Sequence, residues 1–573
     1  MSGNTLSGAQ AVLRALRQMG VERIFASPGS DWAPLWEALA GPHEPGSVPQ
    51  YLSTRHEETA LGMASGYAKA TGNLPAVVLH TTVGALHATM GLRAALHERV
   101  PMVVLAGESI TFGERPGYGT GRQWLRLLAD TGGPARLVES CVKWSFGLNT
   151  GAILAATVQR ACQLAMAAPR GPVFLSVPFE FLMDPVDAGV PHASALPRNA
   201  AAQPSAIEEL AEALCRASNP VIVTEEIGKD PAAVGRLVAL AETLGAPVLE
   251  AWQPGYANFP RTHPLYGGVA VDMPRALEGA DLVFLVEAVA PWHPPSALDR
   301  SNTKVVVLGE DPLHARLPYW GFRADLVAEG AAEPSLAMLA ASVSRRIPAG
   351  SRAGTIGRWR ERHEKERSTR REQARATGTT NMIESRWVGH ELNAVLPRDA
   401  IVVDETITHR LELHQQMDRL GPGAFIEASY GGLGMGLGTA LGVKAAHPER
   451  TVILTIGDGA FHYNPVVASF GAAQEHRLPI LVVLFNNAGY LSQKTDVLNE
   501  YPDGWAKQTG KFAGTSIVPR PDYPALAKAY GGYGESVETP AEVRAALLRG
   551  VQAVTEGKLA LIEIVLAPVN PIS

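Results

Sequence analysis

The sequence predicts an α/β fold built from three doubly wound parallel-sheet domains. Segments with helical periodicity alternate with short apolar strands along residues 6–185. Such alternation is typical of a parallel sheet that carries helices on both faces. The same alternation returns in the middle of the chain and again after residue 381, which predicts three sheets of similar construction.

The boundaries between these domains follow from changes in composition. The first domain is predicted over residues 1–185 and is followed by a stretch rich in Pro, Ala and Ser, a composition typical of linkers. The second domain is predicted over residues 206–345 and the third over residues 381–573. Between them, residues 346–380 contain Arg and Glu interleaved at helical spacing, which predicts a solvated connecting helix rather than an RNA contact.

The composition is that of an ordinary globular protein, with 46% hydrophobic and 18% charged residues in 573. The net charge of −6 provides no basic field, so no nucleic-acid partner is predicted. The chain shows neither a signal-peptide core nor an apolar run of membrane-spanning length, and we expect a cytoplasmic protein without membrane contact. Its three widely spaced cysteines argue against a disulfide framework.

The stretch from Thr451 to Lys494 carries the most specific motif. An apolar, β-branched strand ends at Gly457-Asp458-Gly459. Asn464 is a good N-cap and predicts a helix that runs to about His476. A second apolar strand then ends at Asn486-Asn487. Because the crossover between parallel strands is short and right-handed, both strand ends are expected at the same edge of the sheet.

The polar groups at these two strand ends suit a metal-bound diphosphate. Asp458 offers a carboxylate, Asn487 a side-chain carbonyl and Gly489 a backbone carbonyl, and Mg²⁺ prefers such oxygen ligands. The backbone N–H groups of Gly459 and Ala460 are predicted to meet phosphate oxygens. A lone Gly-Asp-Gly is usually only a turn after a strand, so the spacing of the two strand ends carries the prediction.

The unit resembles the thiamine diphosphate (ThDP) motif, in which Gly-Asp-Gly is followed after about 26 residues by Asn-Asn. By this resemblance the chain is identified as a member of the ThDP-dependent 2-oxo acid decarboxylase and acetolactate synthase family, with motifs most similar to those of benzoylformate decarboxylases. The resemblance implies that Gly457, Asp458, Gly459, Ala460 and the Asn487 to Gly489 turn contact ThDP. It also implies that Asp458, Asn487 and Gly489 hold Mg²⁺.

The segment Arg55–Ala60, followed by Gly66-Tyr67-Ala68, resembles the glutamate helix of this family. The match places the family's activating glutamate on Glu57. In the family this carboxyl group bonds the cofactor aminopyrimidine, which then takes the proton from thiazolium C2. Considered alone, a carboxylate in a first helical turn is usually a partner of the helix dipole. By the same resemblance, the polar groups of the strand end from Asp404 to His409, which include Thr408 and His409, are expected near the diphosphate or the pyrimidine of the cofactor.

The glycine-rich run from Tyr430 to Gly438 resembles the Gly-Gly-Leu-Gly segment of benzoylformate decarboxylases. Glycines let a backbone approach a ligand closely, although such a run also suits helix packing. The resemblance implies that the Gly431 carbonyl accepts a hydrogen bond from the aminopyrimidine and that Leu433 is the apolar wedge beneath the cofactor. Met435 is the alternative wedge if the match is displaced by one turn.

Two residues near the N terminus are candidates for substrate contact. Ser30 matches the family's substrate-carboxylate serine, or else it caps the helix that begins at Asp31. His80 follows a strand and matches a catalytic histidine, which makes it the acid–base candidate. His293 matches a second histidine of the family only after a shift of one residue, and it is expected at the surface. Other histidines are expected to be structural or exposed, namely His56, His87 and His462.

The resemblance implies a ThDP- and Mg²⁺-dependent carbon–carbon bond lyase that decarboxylates a 2-oxo acid through an enamine, with carboligation to an aldehyde as a further outcome. The alternatives are an acetolactate synthase-like transferase that forms acyloins and a non-catalytic ThDP-fold protein.

Glu57 and the metal motif lie in different domains, and the family assembles such sites between subunits, so a dimer of dimers (homotetramer) is expected. FAD is not predicted, because the turn at Glu225–Lys229 lacks additional glycines.

Overall fold

The computed structural model describes residues 5–108, 132–187, 193–298, 302–318, 320–428 and 431–567. Its strands form three six-stranded sheets, and every strand pair within these sheets is parallel. Helices cover the sheets, which explains why most strand residues are buried on both faces. The predicted fold class is confirmed.

The first sheet has the strand order β3-β2-β4-β5-β7-β6. A short antiparallel pair, β1 with β8, joins the start of the chain to the segment after the sheet. The strands of this part are β1 (Thr5–Ser7), β2 (Arg23–Ser27), β3 (Gln50–Ser53), β4 (Ala76–Leu79), β5 (Met102–Glu108), β6 (Trp144–Gly147), β7 (Pro172–Pro178) and β8 (Pro185–Asp187). The helices are α1 (Gly8–Gln18), α2 (Ala33–Ala40), α3 (Glu57–Thr71), α4 (Thr81–His97), α5 (Pro134–Leu137), α6 (Leu154–Met166) and α7 (Phe179–Met183).

The second sheet has the order β11-β10-β9-β12-β13-β14. Its strands are β9 (Pro220–Thr224), β10 (Val248–Glu250), β11 (Tyr266–Val269), β12 (Leu282–Val286), β13 (Lys304–Gly309) and β14 (Leu326–Glu329). The helices are α8 (Pro204–Arg216), α9 (Pro231–Leu244), α10 (Met273–Ala276) and α11 (Ala332–Ser344). The charged connecting segment is a single long helix, α12 (Ala353–Thr377), in which only His363 and Ala374 are buried.

The third sheet has the order β16-β15-β17-β18-β20-β19. Its strands are β15 (Ile401–Glu405), β16 (Phe425–Glu427), β17 (Val452–Gly457), β18 (Leu481–Asn486), β19 (Tyr533–Val537) and β20 (Ala560–Val565). The helices are α13 (Ser385–Val395), α14 (Arg410–Gln416), α15 (Gly436–Ala446), α16 (Asp458–Tyr463), α17 (Val466–Glu475), α18 (Leu491–Glu500), α19 (Trp505–Thr509), α20 (Tyr523–Ala529) and α21 (Val543–Thr555).

The predicted N-cap role of Asn464 is wrong. Helix α16 begins directly at Asp458, and Asn464 follows its last residue, while α17 has Pro465 at its N-cap position. The Asn464 side chain instead bonds distant groups, because its Oδ1 accepts from the N–H of Leu437 and its Nδ2 donates to Glu405. These tertiary hydrogen bonds replace the local cap.

Helices α3 and α15 cross closely and hold the first and third sheets of one chain together. A Cβ atom built on Gly62 would lie 2.8 Å from the Cα of Gly438, and one built on Gly442 would lie 2.0 Å from the carbonyl oxygen of Met63. Only glycine permits this backbone approach. In the described residues, none of the helices is both long and apolar enough to cross a membrane.

Candidate active site

A cavity of about 300 Å³ opens at the carboxyl edge of the third sheet, where β15, β17 and β18 end. Ligand sites of open parallel sheets form at this edge. Most of the residues predicted for the cofactor line this cavity together, namely Thr408, His409, Gly431, Leu433, Gly457, Asp458, Gly459, Ala460, Asn487 and Gly489. Glu405, in the segment expected near the cofactor, lines the cavity too, and so do Gln253, Arg410, Glu427 and Tyr490, which sequence reasoning did not assign.

The ends of β17 and β18 are tied together through Asp458. Its Oδ1 accepts from the N–H of Gly459 at 2.9 Å, and its Oδ2 accepts from the N–H of Gly489 at 2.9 Å. The Gly489 N–H also lies 3.2 Å from Oδ1 of Asn487. A Cβ atom on Gly489 would lie 2.2 Å from the Thr515 carbonyl oxygen, so this turn requires glycine.

The oxygen atoms of this turn fit a small divalent cation. Asp458 is buried, and burial raises the pKa of its carboxyl group to about 6. Each carboxylate oxygen accepts one of the N–H bonds described above and retains a further lone pair, while Asn487 adds a neutral oxygen. A cation would compensate the buried charge of Asp458. The Gly459 N–H already donates to Asp458. A phosphate oxygen at the predicted contact would therefore share this N–H with the Asp458 carboxylate.

The glycine-rich run places Leu433, and not Met435, on the cavity wall. Leu433 is half-buried and lines the cavity, whereas Met435 is buried at the start of α15. The Met435 methyl group lies 3.5 Å from a Cβ built on Gly91 of α4, so it packs toward the first sheet. Gly431 and Gly434 have φ angles of 65° and 112°, which favour glycine. Tyr430 lies outside the described residues.

The buried carboxylate of Glu405 shapes this run. Glu405 accepts hydrogen bonds from the N–H groups of Gly434, Met435 and Gly436 at 2.8–3.1 Å, and from Nδ2 of Asn464 at 2.8 Å. It thereby satisfies amides at the start of α15 that have no partner within the helix. Burial raises the pKa of Glu405 to about 7, although these hydrogen bonds act in the opposite direction.

We expect the Glu405→Gln variant to lose about 2 kcal/mol of unfolding free energy, because its amide turns an N–H₂ group toward buried donors. The glycine-rich run would then lose its fixed shape, and ThDP affinity would fall with it. Denaturant unfolding and calorimetry measure the two effects. Glu412→Gln in α14 is the control for a carboxylate that bonds outside this run. Unchanged stability in Glu405→Gln would contradict the role given to Glu405.

Glu57 is the first residue of α3 and is half-buried. The preceding His56 caps the helix, because its Nδ1 accepts from the N–H of Glu58 at 3.2 Å. Among the described residues, those that line the cavity of the third sheet do not include Glu57. A single chain therefore holds the predicted metal ligands and the predicted activating carboxylate at separate places.

His80 pairs with Asp31, a partner that sequence reasoning missed. Its Nδ1 lies 2.6 Å from Oδ1 of Asp31, which is buried. The hydrogen bond to Asp31 raises the pKa of His80, while burial lowers it. An Asp–His pair of this kind fixes the imidazole orientation and leaves Nε2 for acid–base chemistry. The only signal in the sequence is that both residues follow neighbouring strands of one sheet.

Ser30 lies beside this pair and is exposed. It begins a short 3-10 turn, Ser30–Trp32, whose N-cap is Gly29, and the following helix α2 has Trp32 at its N-cap. No side-chain cap is formed at either place. The alternative that Ser30 caps a helix is therefore wrong, and its substrate role stays a prediction. Ser30 and His80 do not line the cavity of the third sheet.

The three parallel sheets and a cavity at the carboxyl edge of the third are typical of α/β enzymes that bind a phosphate-containing cofactor. Three domain profiles of one family match the chain in order. They are described as "Thiamine pyrophosphate enzyme, N-terminal TPP binding domain" over residues 6–124, "central domain" over 207–335 and "C-terminal TPP binding domain" over 408–564. The chain belongs to the thiamine pyrophosphate (thiamine diphosphate) enzymes.

Known relatives cover nearly the whole chain. A benzoylformate decarboxylase of Pseudomonas aeruginosa is 29% identical over 556 residues, which span 94% of this chain and 95% of the relative. The acetolactate synthase isozyme 3 large subunit of Escherichia coli is 27% identical over 583 residues, spanning 98% and 94%.

Solved structures share the fold. The benzoylformate decarboxylase from Polynucleobacter necessarius has a TM-score of 0.79 at 20% identity, with 98% of this chain and 99% of that chain covered. The ThDP-dependent 4-hydroxybenzoylformate decarboxylase from Rhodococcus jostii RHA1 has a TM-score of 0.77 at 24% identity and the same coverage.

Proposed function

We propose that this chain is a ThDP- and Mg²⁺-dependent lyase that cleaves the carbon–carbon bond of a 2-oxo acid and releases CO₂. The observation that carries the proposal is the cavity in which Asp458, Asn487 and Gly489 lie together beside Leu433. The names of the relatives support the substrate class, since benzoylformate is an aryl 2-oxo acid. When bound, ThDP supplies the carbon nucleophile and the electron sink for decarboxylation.

Different residues of the chain have different roles around that cofactor. Asp458, Asn487 and the Gly489 carbonyl would hold Mg²⁺, which would neutralise the charge of the diphosphate. Leu433 provides the apolar wall of the cavity. His80, oriented by Asp31, moves a proton at the substrate. Ser30 donates a hydrogen bond to the substrate carboxylate.

Glu57 supplies the carboxyl group that holds and moves a proton at the aminopyrimidine. Because Glu57 does not line the cavity of its own chain, we propose that a second copy supplies it and that the protein is a dimer of dimers. The pyrimidine-binding domain would span residues 1–185, the middle domain 206–345 and the diphosphate-binding domain 381–573.

A substrate panel tests the proposed reaction. Aryl and aliphatic 2-oxo acids are supplied to enzyme loaded with ThDP and Mg²⁺, with and without an aldehyde, and CO₂ and ligated products are measured. We expect CO₂ release that depends on both ThDP and Mg²⁺. Efficient product formation only with an acceptor would favour the acetolactate synthase-like transferase, which the Escherichia coli relative suggests. No CO₂ from any 2-oxo acid would contradict the proposal.

Leu433→Ala is expected to slow hydrogen–deuterium exchange at cofactor C2 by about 10-fold or more while ThDP affinity changes little. The reason is that the wall residue fixes a reactive cofactor geometry, and small misplacements are costly in rate. Exchange is followed by NMR after acid quench, and affinity is measured by calorimetry. Met435→Ala is the matched control, because Met435 packs away from the cavity. A wild-type exchange rate in Leu433→Ala would contradict the assignment.

A further inference from the structure

Two histidines surround Glu57 and have no role in the function proposed so far. Atoms of His56, Glu57 and His87 that could bind a ligand all lie within 4.8 Å of one another. The rings of His56 and His87 meet edge to face, with centroids 5.5 Å apart. His87 comes from α4 and is exposed, whereas His56 and Glu57 begin α3 and are half-buried. The carboxylate therefore lies between imidazoles from two helices.

Two histidines and a carboxylate are also a frequent set of metal ligands, but the hydrogen bonding of His56 opposes a metal here. Its Nδ1 accepts from the N–H of Glu58 at 3.2 Å. In a neutral imidazole that accepts through Nδ1, the proton is on Nε2. His56 then has no lone pair left for a cation, so the cluster does not supply three metal ligands.

The two imidazoles differ in their surroundings. Burial lowers the pKa of His56, and the neighbouring His87 lowers it further, while Glu57 acts in the opposite direction. His56 is therefore held neutral, whereas His87 is the more exposed imidazole of the two. The other titratable groups that interact with the cluster are Glu58, on the same turn of α3, and the His80 imidazole, which is paired with Asp31.

We propose that His87 is a positioning residue that holds the Glu57 carboxylate and exchanges a proton with it. In this exchange a proton passes from a carboxyl oxygen of Glu57 to an unprotonated ring nitrogen of His87, which leaves a carboxylate and an imidazolium, and the reverse transfer restores both. No other bond changes. In a single chain, His87 is the exposed member of the cluster. The inference rests on the proposed role of Glu57 in cofactor activation.

The test uses the holoenzyme saturated with ThDP and Mg²⁺. His87→Gln retains a hydrogen-bonding side chain but cannot take up a proton at neutral pH. We expect kcat to fall by about 10²-fold, the range of a lost acid–base contribution, with little change in KM or ThDP affinity. The pH profile of kcat should lose one ionisation, and added imidazole should partly rescue His87→Ala. His97→Gln, which removes another histidine of α4, should behave as the wild type.

The outcomes distinguish a failure of the role proposed for His87 from a failure of the role proposed for Glu57. If Glu57→Gln is inactive while His87→Gln retains the wild-type pH profile, His87 does not exchange protons with Glu57, and the role of Glu57 stands. If Glu57→Gln is fully active, the proposed activation itself is wrong. A fall in kcat of His87→Gln without a change in pH profile and without imidazole rescue would show a purely structural role and would overturn the inference.

Discussion

Replacement of Glu57 by glutamine is expected to lower kcat by about 10²–10⁴-fold, the usual contribution of a positioned acid–base group. The amide keeps the size of the side chain but cannot accept or release the proton at the aminopyrimidine. Steady-state rates and C2 hydrogen–deuterium exchange should both fall, whereas Mg²⁺-dependent ThDP affinity should stay close to that of the wild type.

The adjacent carboxylate provides a matched control. Glu58 occupies the same turn of α3 and is also half-buried, so Glu58→Gln removes a similar charge from the same helix end. It should retain most of the activity, because the family match places the activating group on Glu57. Equal losses in the two variants would mean that the helix N terminus, and not one carboxyl group, is responsible for the effect.

Replacement of Asp458 by alanine is expected to abolish the retention of ThDP that depends on Mg²⁺. The change removes the only charged oxygen ligand of the proposed metal set and also the two hydrogen bonds that tie the ends of β17 and β18. Calorimetry with and without Mg²⁺ measures the loss, and we expect an affinity weaker by about 100-fold or more, because loss of a group that only supports a metal ligand already costs about 10–100-fold.

Asp458→Asn separates the two contributions of this residue. Its amide oxygen can keep one of the backbone hydrogen bonds, but the side chain is neutral. Affinity should again fall strongly while the unfolding free energy changes less than in the alanine variant. Asp496→Ala, at an exposed position of α18, controls for loss of a carboxylate elsewhere. Wild-type ThDP affinity in both Asp458 variants would contradict the metal assignment.

The elements that sequence patterns predict best are those determined by local residues. The β17 strand is apolar and ends in Gly-Asp-Gly, and β18 ends in Asn-Asn, so both their existence and their meeting at one sheet edge follow from patterning and from the geometry of parallel crossovers. The match to the glutamate helix implied that Glu57 lies in a first helical turn, and α3 begins at Glu57 in the structure.

The parts that patterns could not predict depend on residues distant in sequence. Asn464 has a strong local capping preference, yet its side chain bonds Glu405, which lies 59 residues away. Glu405 in turn bonds amides 29–31 residues along the chain, and Asp31 meets His80 across 49 residues. Asn464, Glu405 and Asp31 are buried, so their partners are set by tertiary packing and not by the neighbouring sequence.

The separation of Glu57 from the cavity has the largest consequence for function. Helices α3 and α15 of one chain pack through glycines without spare space, which fixes the first and third sheets against each other. With that packing in place, Glu57 does not line the cavity that contains Asp458. We therefore propose that each active site combines Glu57 of one subunit with Asp458 of another.

Hybrid oligomers of two inactive variants test this claim most directly. Glu57→Gln and Asp458→Ala subunits carrying different affinity tags are co-expressed in equal amounts, and the hybrids are quantified by sequential purification. A site shared between subunits restores one intact site in each hybrid dimer, so a random mixture should recover about a quarter of wild-type activity. Purified hybrids that stay as inactive as the two parent variants would show that both residues must belong to the same chain.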